Sequence, residues 1–210
     1  MPPRPYNSET RRRKQAELRE RIAAAAAELH AQQGAVATSN ADIARQAGVS
    51  LPTVYSHFPS QDDLLGACTA HVASRAPQVP VEQILGAPDL RVATERLVDA
   101  ADALNAHFAP WKAWREDRVI PFLARMSETA RAQQTALIAQ LLERHLGAGD
   151  HREVAAAWET LLSFDPWHRM VHEHGLPRPA VRRQLVQMLL AVVGPQPAAR
   201  SHSRPRSTKS

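Results

Sequence analysis

The chain has a single cysteine, Cys68, in 210 residues, so no internal disulfide can form, and a reducing, cytoplasmic setting is predicted. Aromatic residues make up only 5% of it, and its eight glycines are spread out, leaving no glycine-rich loop to cradle a nucleotide's phosphates. No apolar run approaches the roughly 18 residues of a membrane span, and the Arg-rich start is not followed by the apolar segment of a signal peptide, so no membrane partner is expected. No stretch alternates apolar and polar residues as a half-buried strand does. Ala, Leu, Arg, Gln and Glu dominate instead, and an all-α chain is predicted, long enough for a small domain and a larger one.

Equipment for catalysis is also scarce. There is no nucleophile elbow. His168, His172 and His174 fall near helical spacing, but no matching set of carboxylates or cysteines accompanies them. No catalytic residue, metal or cofactor is therefore expected. An enzyme built into the helical body is the alternative, and it would show turnover surviving deletion of residues 1–60.

The net charge of +5 suggests nucleic acid until it is located. Residues 1–66 carry +1, residues 67–194 carry zero, and the tail from Pro195 carries +4. The excess thus sits mainly in the tail. Within the first third, Arg4, Arg11, Arg12, Arg13, Lys14, Arg19 and Arg21 still form a local basic cluster.

Residues 39–58, SNADIARQAGVSLPTVYSHF, are the most informative stretch. Ser39 can cap a helix while Asp42 reaches back to the free N–H groups, a close variant of the capping box. Ile43, Ala44 and Ala47 make a buried stripe, and Gly48 ends the helix where a left-handed residue is needed. Val49 plugs the turn. Ser50 caps a second helix, Pro52 fits its first turn, and Val54 and Phe58 point to the core. Leu51, Thr53, Tyr55 and His57 are left facing outward. Two short helices around a tight turn predict a helix-turn-helix, whose second helix can lie in the major groove.

These residues resemble the DNA-binding domain of the tetracycline-repressor (TetR) family of bacterial regulators. The resemblance runs from Gly34 through Thr38, Ser39, Ile43, Ala44, Ala47, Gly48, Val49, Ser50, Thr53, Val54, Tyr55, His57 and Phe58 to Leu64, and covers about residues 15–72. It implies phosphate contacts at Thr38, Ser39, Ser50, Tyr55 and His57, and an approach to base edges by Leu51, Pro52 and Thr53. Two positions depart from the family pattern. Gln61 stands where a basic residue is usual and can only hydrogen-bond, which weakens non-specific affinity. Leu51 stands where a polar residue is common; it either touches a thymine methyl or packs on its neighbours. For Ser39 and Ser50 capping alone is the plainer role, and for Tyr55 it is packing against the first helix.

Residues 1–10 are expected to be a flexible arm, which either reaches DNA or is simply solvated. Residues 11–60 form the DNA-binding domain, 61–76 a connecting helix, 77–194 a helical ligand-binding and dimerisation domain, and 195–210 a disordered basic tail. A long helix from Asp89 is expected to end at Pro110, and Pro121 opens another that stops at Gly147. Pro166 either kinks the following helix or starts a second one with Asp165 as its cap.

The last two helical stretches are apolar around more than one face, which points to a partner chain over Trp167, Met170, Val171, Val186, Leu190 and Val193. By the resemblance, the larger domain holds a small apolar effector, with Phe108, Trp111, Trp114, Arg115, Phe122, Met126 and Trp158 as candidate lining. For any single one of these, ordinary helix packing is the favoured role. The expectation is a homodimer on palindromic double-stranded DNA, a repressor released by its effector, or else a constitutive regulator whose body merely dimerises.

Overall fold

A computed structural model describes residues 8–194, and every regular element in them is helical. The expected arm over residues 1–7 and the basic tail, residues 195–210, lie outside the described residues. The order is α1 (Ser8–Gln33), α2 (Asn40–Ala47), α3 (Leu51–His57), α4 (Gln61–Ala73), α5 (Val81–Leu85), α6 (Leu90–Lys112), α7 (Pro121–Leu146), α8 (Arg152–Leu162), α9 (Phe164–His168) and α10 (Arg178–Val193). A 3-10 turn, Glu116–Arg118, precedes α7, and a π-helical turn, Arg169–Glu173, continues α9.

Two apolar clusters organise these helices. The first takes Ile22, Ala25 and Ala26 from α1, Ile43, Ala44 and Ala47 from α2, Val54 and Phe58 around α3, and Leu64, Leu65, Cys68 and Val72 from α4. Expected as a mere connector, α4 therefore gives a whole face to the N-terminal core. The second cluster, in the body, joins Ile84, Leu97, Val98, Ile138, Leu141, Leu142, Trp158, Trp167, Val181, Leu185 and Leu189.

Several boundaries differ from the sequence expectation. Residues 8–10, expected in the arm, already belong to α1; nothing there breaks a helix, and Glu9 suits the positive pole of its first turn. Pro110 does not end α6, which runs on to Lys112, because a proline this near the terminus costs only one ladder bond. Ser163, extended at ψ 166°, breaks the chain between α8 and α9 and places Pro166 in a first turn, where its missing N–H is harmless. Asp165 is not the cap there; its carboxylate pairs with Arg115 and, at 3.6 Å, with Arg118.

Candidate nucleic-acid interface

The capping chemistry read from residues 39–58 is present as geometry. Ser39 Oγ accepts from the Asp42 amide at 3.2 Å, and the Asp42 carboxylate accepts from the Ser39 amide at 3.2 Å. The Ser39 hydroxyl and amide hold the Asp42 carboxyl below its ordinary range. Gly48 is left-handed at φ 64°, ψ 42°, and the Val49 amide turns back to the Ala44 carbonyl at 2.9 Å. Ser50 Oγ accepts from the Thr53 amide at 3.3 Å, and the two hydroxyls lie 2.7 Å apart. α4 repeats the box with Ser60 and Asp63, whose carboxyl is lowered in the same way.

Side-chain exposure separates the expected contacts. Ser39, Ser50, Pro52 and Tyr55 are exposed, Tyr55 to 51%. Thr53 and His57 are half-buried. Thr38 is buried, and its hydroxyl donates to the Gly34 carbonyl at 2.6 Å. Leu51, one of the residues expected to face outward, is half-buried and packs on the N-terminal cluster; of its two sequence readings, the structure displays the packing one.

Arg19, in sequence only one member of the basic cluster, braces this element. Its guanidinium lies 4.1 Å from the Phe58 ring centroid and donates to the His57 carbonyl at the end of α3. Only a fold that runs α1 past the end of α3 makes this pairing visible. Beyond Arg19 the first turns of α1 expose Arg11, Arg12, Arg13 and Lys14, with Arg13 paired to Glu17 at 3.5 Å.

The seven residues expected to line an effector pocket do not converge. Phe108, Trp111 and Phe122 pack on the N-terminal cluster, whereas Trp158 lies in the body core and donates to the Leu189 carbonyl at 3.0 Å. Trp114 and Met126 are exposed to 45% and 47%, and Arg115 is tied to Asp165. The reason is local: an indole docked on protein needs an acceptor, and Trp111 and Trp114 find theirs in the α1 carbonyls of Ala27 and Ala31, at 2.7 and 3.2 Å. A cleft of about 640 Å³ opens elsewhere, against Leu90, Arg91, Arg144, His145, Leu190 and Val193.

Of the residues expected at a dimer interface, Trp167 is a correction. It is 2% exposed, inside its own chain, because Asp102 satisfies its indole N–H at 2.7 Å. Val186 is likewise buried, while Met170, Val171, Leu190 and Val193 are half-buried. The histidines come together only in part: the rings of His168 and His172 lie 4.7 Å apart, and no cluster of three metal-binding side chains exists among the described residues.

A capped α2, a left-handed glycine turn and a short α3 with an exposed face define a DNA-binding transcriptional regulator of the helix-turn-helix class. Residues 22–68 match the model of the family described as bacterial regulatory proteins, tetR family. No curated protein matches the chain by sequence. Among solved structures it is similar to a transcriptional regulator from Saccharomonospora viridis in complex with choline, at 23% identity and TM-score 0.61, over 83% of this chain and 96% of that one. A TetR-family regulator from Mesorhizobium loti aligns at 22% identity and TM-score 0.56, over 85% and 96%. The multidrug binding protein EbrR, complexed with imidazole, aligns at 21% identity and TM-score 0.56, over 87% and 93%. At such identities the likeness establishes the shared all-helical fold.

Proposed function

We propose that the chain is a non-enzymatic, cytoplasmic, homodimeric repressor that sets two copies of α3 in successive major grooves of a palindromic operator and leaves it when a small apolar ligand binds the body. The observation that carries the DNA-binding part is the exposed, capped start of α3. Ser50, Pro52 and Tyr55 are exposed there, beside the exposed cap of α2, Ser39. Hydroxyls and helix N-terminal amides are good phosphate donors, so these residues, with half-buried Thr53 and His57 beside them, form the contact surface, and Thr38, buried and bonded to Gly34, shapes the turn that leads to it. Leu51 supplies an apolar edge for a thymine methyl where it emerges from its packing.

For the dimer, the support is the outer face of α10. Met188 and Val192 are 40% and 41% exposed there, next to half-buried Leu190 and Val193. Two-fold pairing of this face, joined by Met170 and Val171, spaces the two recognition helices by about one DNA turn. Repression then follows by exclusion of polymerase. That the effector is a small molecule is supported by the choline and imidazole bound to two proteins of similar fold, while its apolar character rests on the aromatic residues of the body alone.

A second reading, a constitutive dimer with no effector, is favoured by one observation: of the expected pocket residues, Phe108, Trp111 and Phe122 pack on one cluster, Trp158 lies in the other, and Trp114, Arg115 and Met126 join neither. One experiment tests both readings. The wild-type protein selects a duplex from a random pool, and anisotropy then follows its release by a library of apolar and cationic small molecules. Selection of a palindrome with release supports the repressor, selection without release supports the constitutive form, and failure to select any duplex removes both.

A further inference from the structure

We propose that Glu116, in the body, is a positioning residue for DNA binding: its carboxylate holds the turn leading into α2 and so sets where the helix-turn-helix sits. This rests on the reading of α2 and α3 as the DNA-binding element.

The need for such a group begins with the end of α1. A helix terminus leaves its last carbonyls without helical partners, and the amides just past it have no ladder to join. α1 stops at Gln33, and Gly34 turns the chain away at φ 80°. The next two amides, of Ala35 and Val36, both donate to Glu116, to Oε2 and Oε1 respectively, each at 2.7 Å. A carboxylate near the negative pole of a helix is not placed there by the dipole. Here the two charge-assisted bonds offset that repulsion. The Ala31 carbonyl, in the last turn of α1, is taken by Trp114, and one turn earlier the Ala27 carbonyl is taken by Trp111. A six-residue piece of the body, residues 111–116, thus completes the end of α1.

The turn held in this way is short and leads directly to the candidate contacts. Thr38 donates from Oγ1 to the Gly34 carbonyl at 2.6 Å, and Gln33 donates to Thr38 Oγ1 at 3.2 Å. Ser39, which follows, caps α2. A shift of Ala35 and Val36 is therefore a shift of Thr38 and Ser39.

Both sides of the contact are shaped for it. An added Cβ on Gly34 would lie 2.6 Å from Glu116 Oε1 and 3.3 Å from the Trp114 ring. On the body side Arg115 is left-handed at φ 56°, the one non-glycine residue with positive φ among those described, and its side chain pairs with Asp165 on α9. Such backbone strain persists only where the surroundings over-determine it. Here the αL residue turns the chain so that Glu116 faces α1, while Asp165 anchors the turn to α9.

The test uses the full chain on a duplex that the wild-type protein selects from a random pool, with Glu116→Ala and Glu116→Gln, and Glu128→Ala as an exposed control on α7. Removing an acid from a DNA-binding protein should by long-range electrostatics alone tighten binding, so a loss of affinity has the opposite sign. Glu116→Ala is expected to weaken binding about tenfold, and Glu116→Gln, which keeps one acceptor, about threefold. The salt slope should not change, because every group that meets a phosphate is kept. Amide exchange should quicken at Ala35 and Val36 and stay unchanged in α8 and α10. Glu116→Ala that binds as tightly as wild type at a temperature where both are folded overturns the proposal, even if its melting point drops. Should that variant melt below the assay temperature, Glu116→Gln makes the same comparison. A wild type that selects no duplex, by contrast, removes the DNA-binding reading itself.

Discussion

The indole N–H of Trp167 on α9 donates to the carboxylate of Asp102 on α6 at 2.7 Å, in the interior of the body, where Asp102 is only 2% exposed. The same carboxylate receives the Arg178 guanidinium from α10 at 2.7 and 3.2 Å. One buried acid thus joins three helices. Asp102→Ala leaves the indole N–H unpaired and takes away the partner of Arg178, whereas Arg182, 3.9 Å from Asp102, keeps Asp99 at 3.1 Å. Breaking a buried pair is costly, but Arg178 can rehydrate at the surface, so the expected loss is about 2–3 kcal/mol, at the low end for such pairs. Urea unfolding followed by tryptophan emission measures it. Asp102→Asn, which keeps an acceptor for Trp167, should lose less; equal losses would mean that the Arg178 charge matters and the indole bond does not.

Gly48 gives a second prediction, in which conformation is the whole effect. It sits at φ 64°, and an added Cβ would meet nothing within 4 Å. Gly48→Ala should therefore cost about 1–2 kcal/mol, the ordinary penalty of a left-handed alanine, without steric displacement. Ser39→Ala removes a cap and should cost about 1 kcal/mol. The two changes act on opposite ends of α2. Thermal unfolding of each single variant checks the magnitudes, and a Gly48→Ala variant as stable as wild type would show that the turn adopts another conformation.

Much of this element is legible in the sequence because its determinants are local. Ser39 with Asp42, Gly48, and Ser50 with Pro52 act within one turn of their own position, and Ile43, Val54 and Phe58 follow the helical period. What is not legible is the choice of partner across the chain. Trp111 and Trp114 look alike whether they line a cavity or dock on α1; only the carbonyls of Ala27 and Ala31, about 80 residues away, decide it. Glu116 carries no motif, and Trp167 reads as an interface residue until Asp102 is placed beneath it. Pro110 misleads for a different reason, since the penalty of a proline depends on how much helix follows.

A third prediction concerns salt. Arg11, Arg12 and Lys14 are exposed on the first turns of α1, which leads through Arg19 to the end of α3. If this helix lies along the phosphates flanking the recognition site, replacing all three by alanine should lower the slope of log affinity against log salt by about 0.9 for each phosphate no longer neutralised. Tyr55→Phe, which removes a neutral hydroxyl, should weaken binding yet leave the slope alone. Titrations at several potassium chloride concentrations separate the two cases, and an unchanged slope in the triple variant would place these residues in solvent.

The fourth prediction is acid sensitivity in two stages. Burial holds His30 below its ordinary value of 6.5, with Glu116 partly opposing, and burial with His172 and Arg115 lowers His168. A histidine lowered in the folded state takes up its proton more readily when unfolded. Its contribution is complete above pH 6.5 and is lost as pH falls below that value toward the folded pKa. For His30, which is 5% exposed, the loss approaches about 1.4 kcal/mol per pH unit within that window. Asp42 and Asp63 behave in the opposite sense: their carboxyls are lowered from 3.8 by the cap serines, so their contribution is present above 3.8 and disappears as pH falls through the folded values. The first stage should therefore weaken the packing of α1 on α4, where His30 Nδ1 meets Cys68 at 3.5 Å, and the second should fray α2 and α4 at their caps. Urea midpoints at pH 7.5, 5.5, 4.5 and 2.5 resolve the stages. His30→Gln should shrink the first stage to the share of His168 and leave the second unchanged, and a midpoint that stays level from pH 7.5 to 5.5 in the wild type would show that neither histidine is held neutral by the fold.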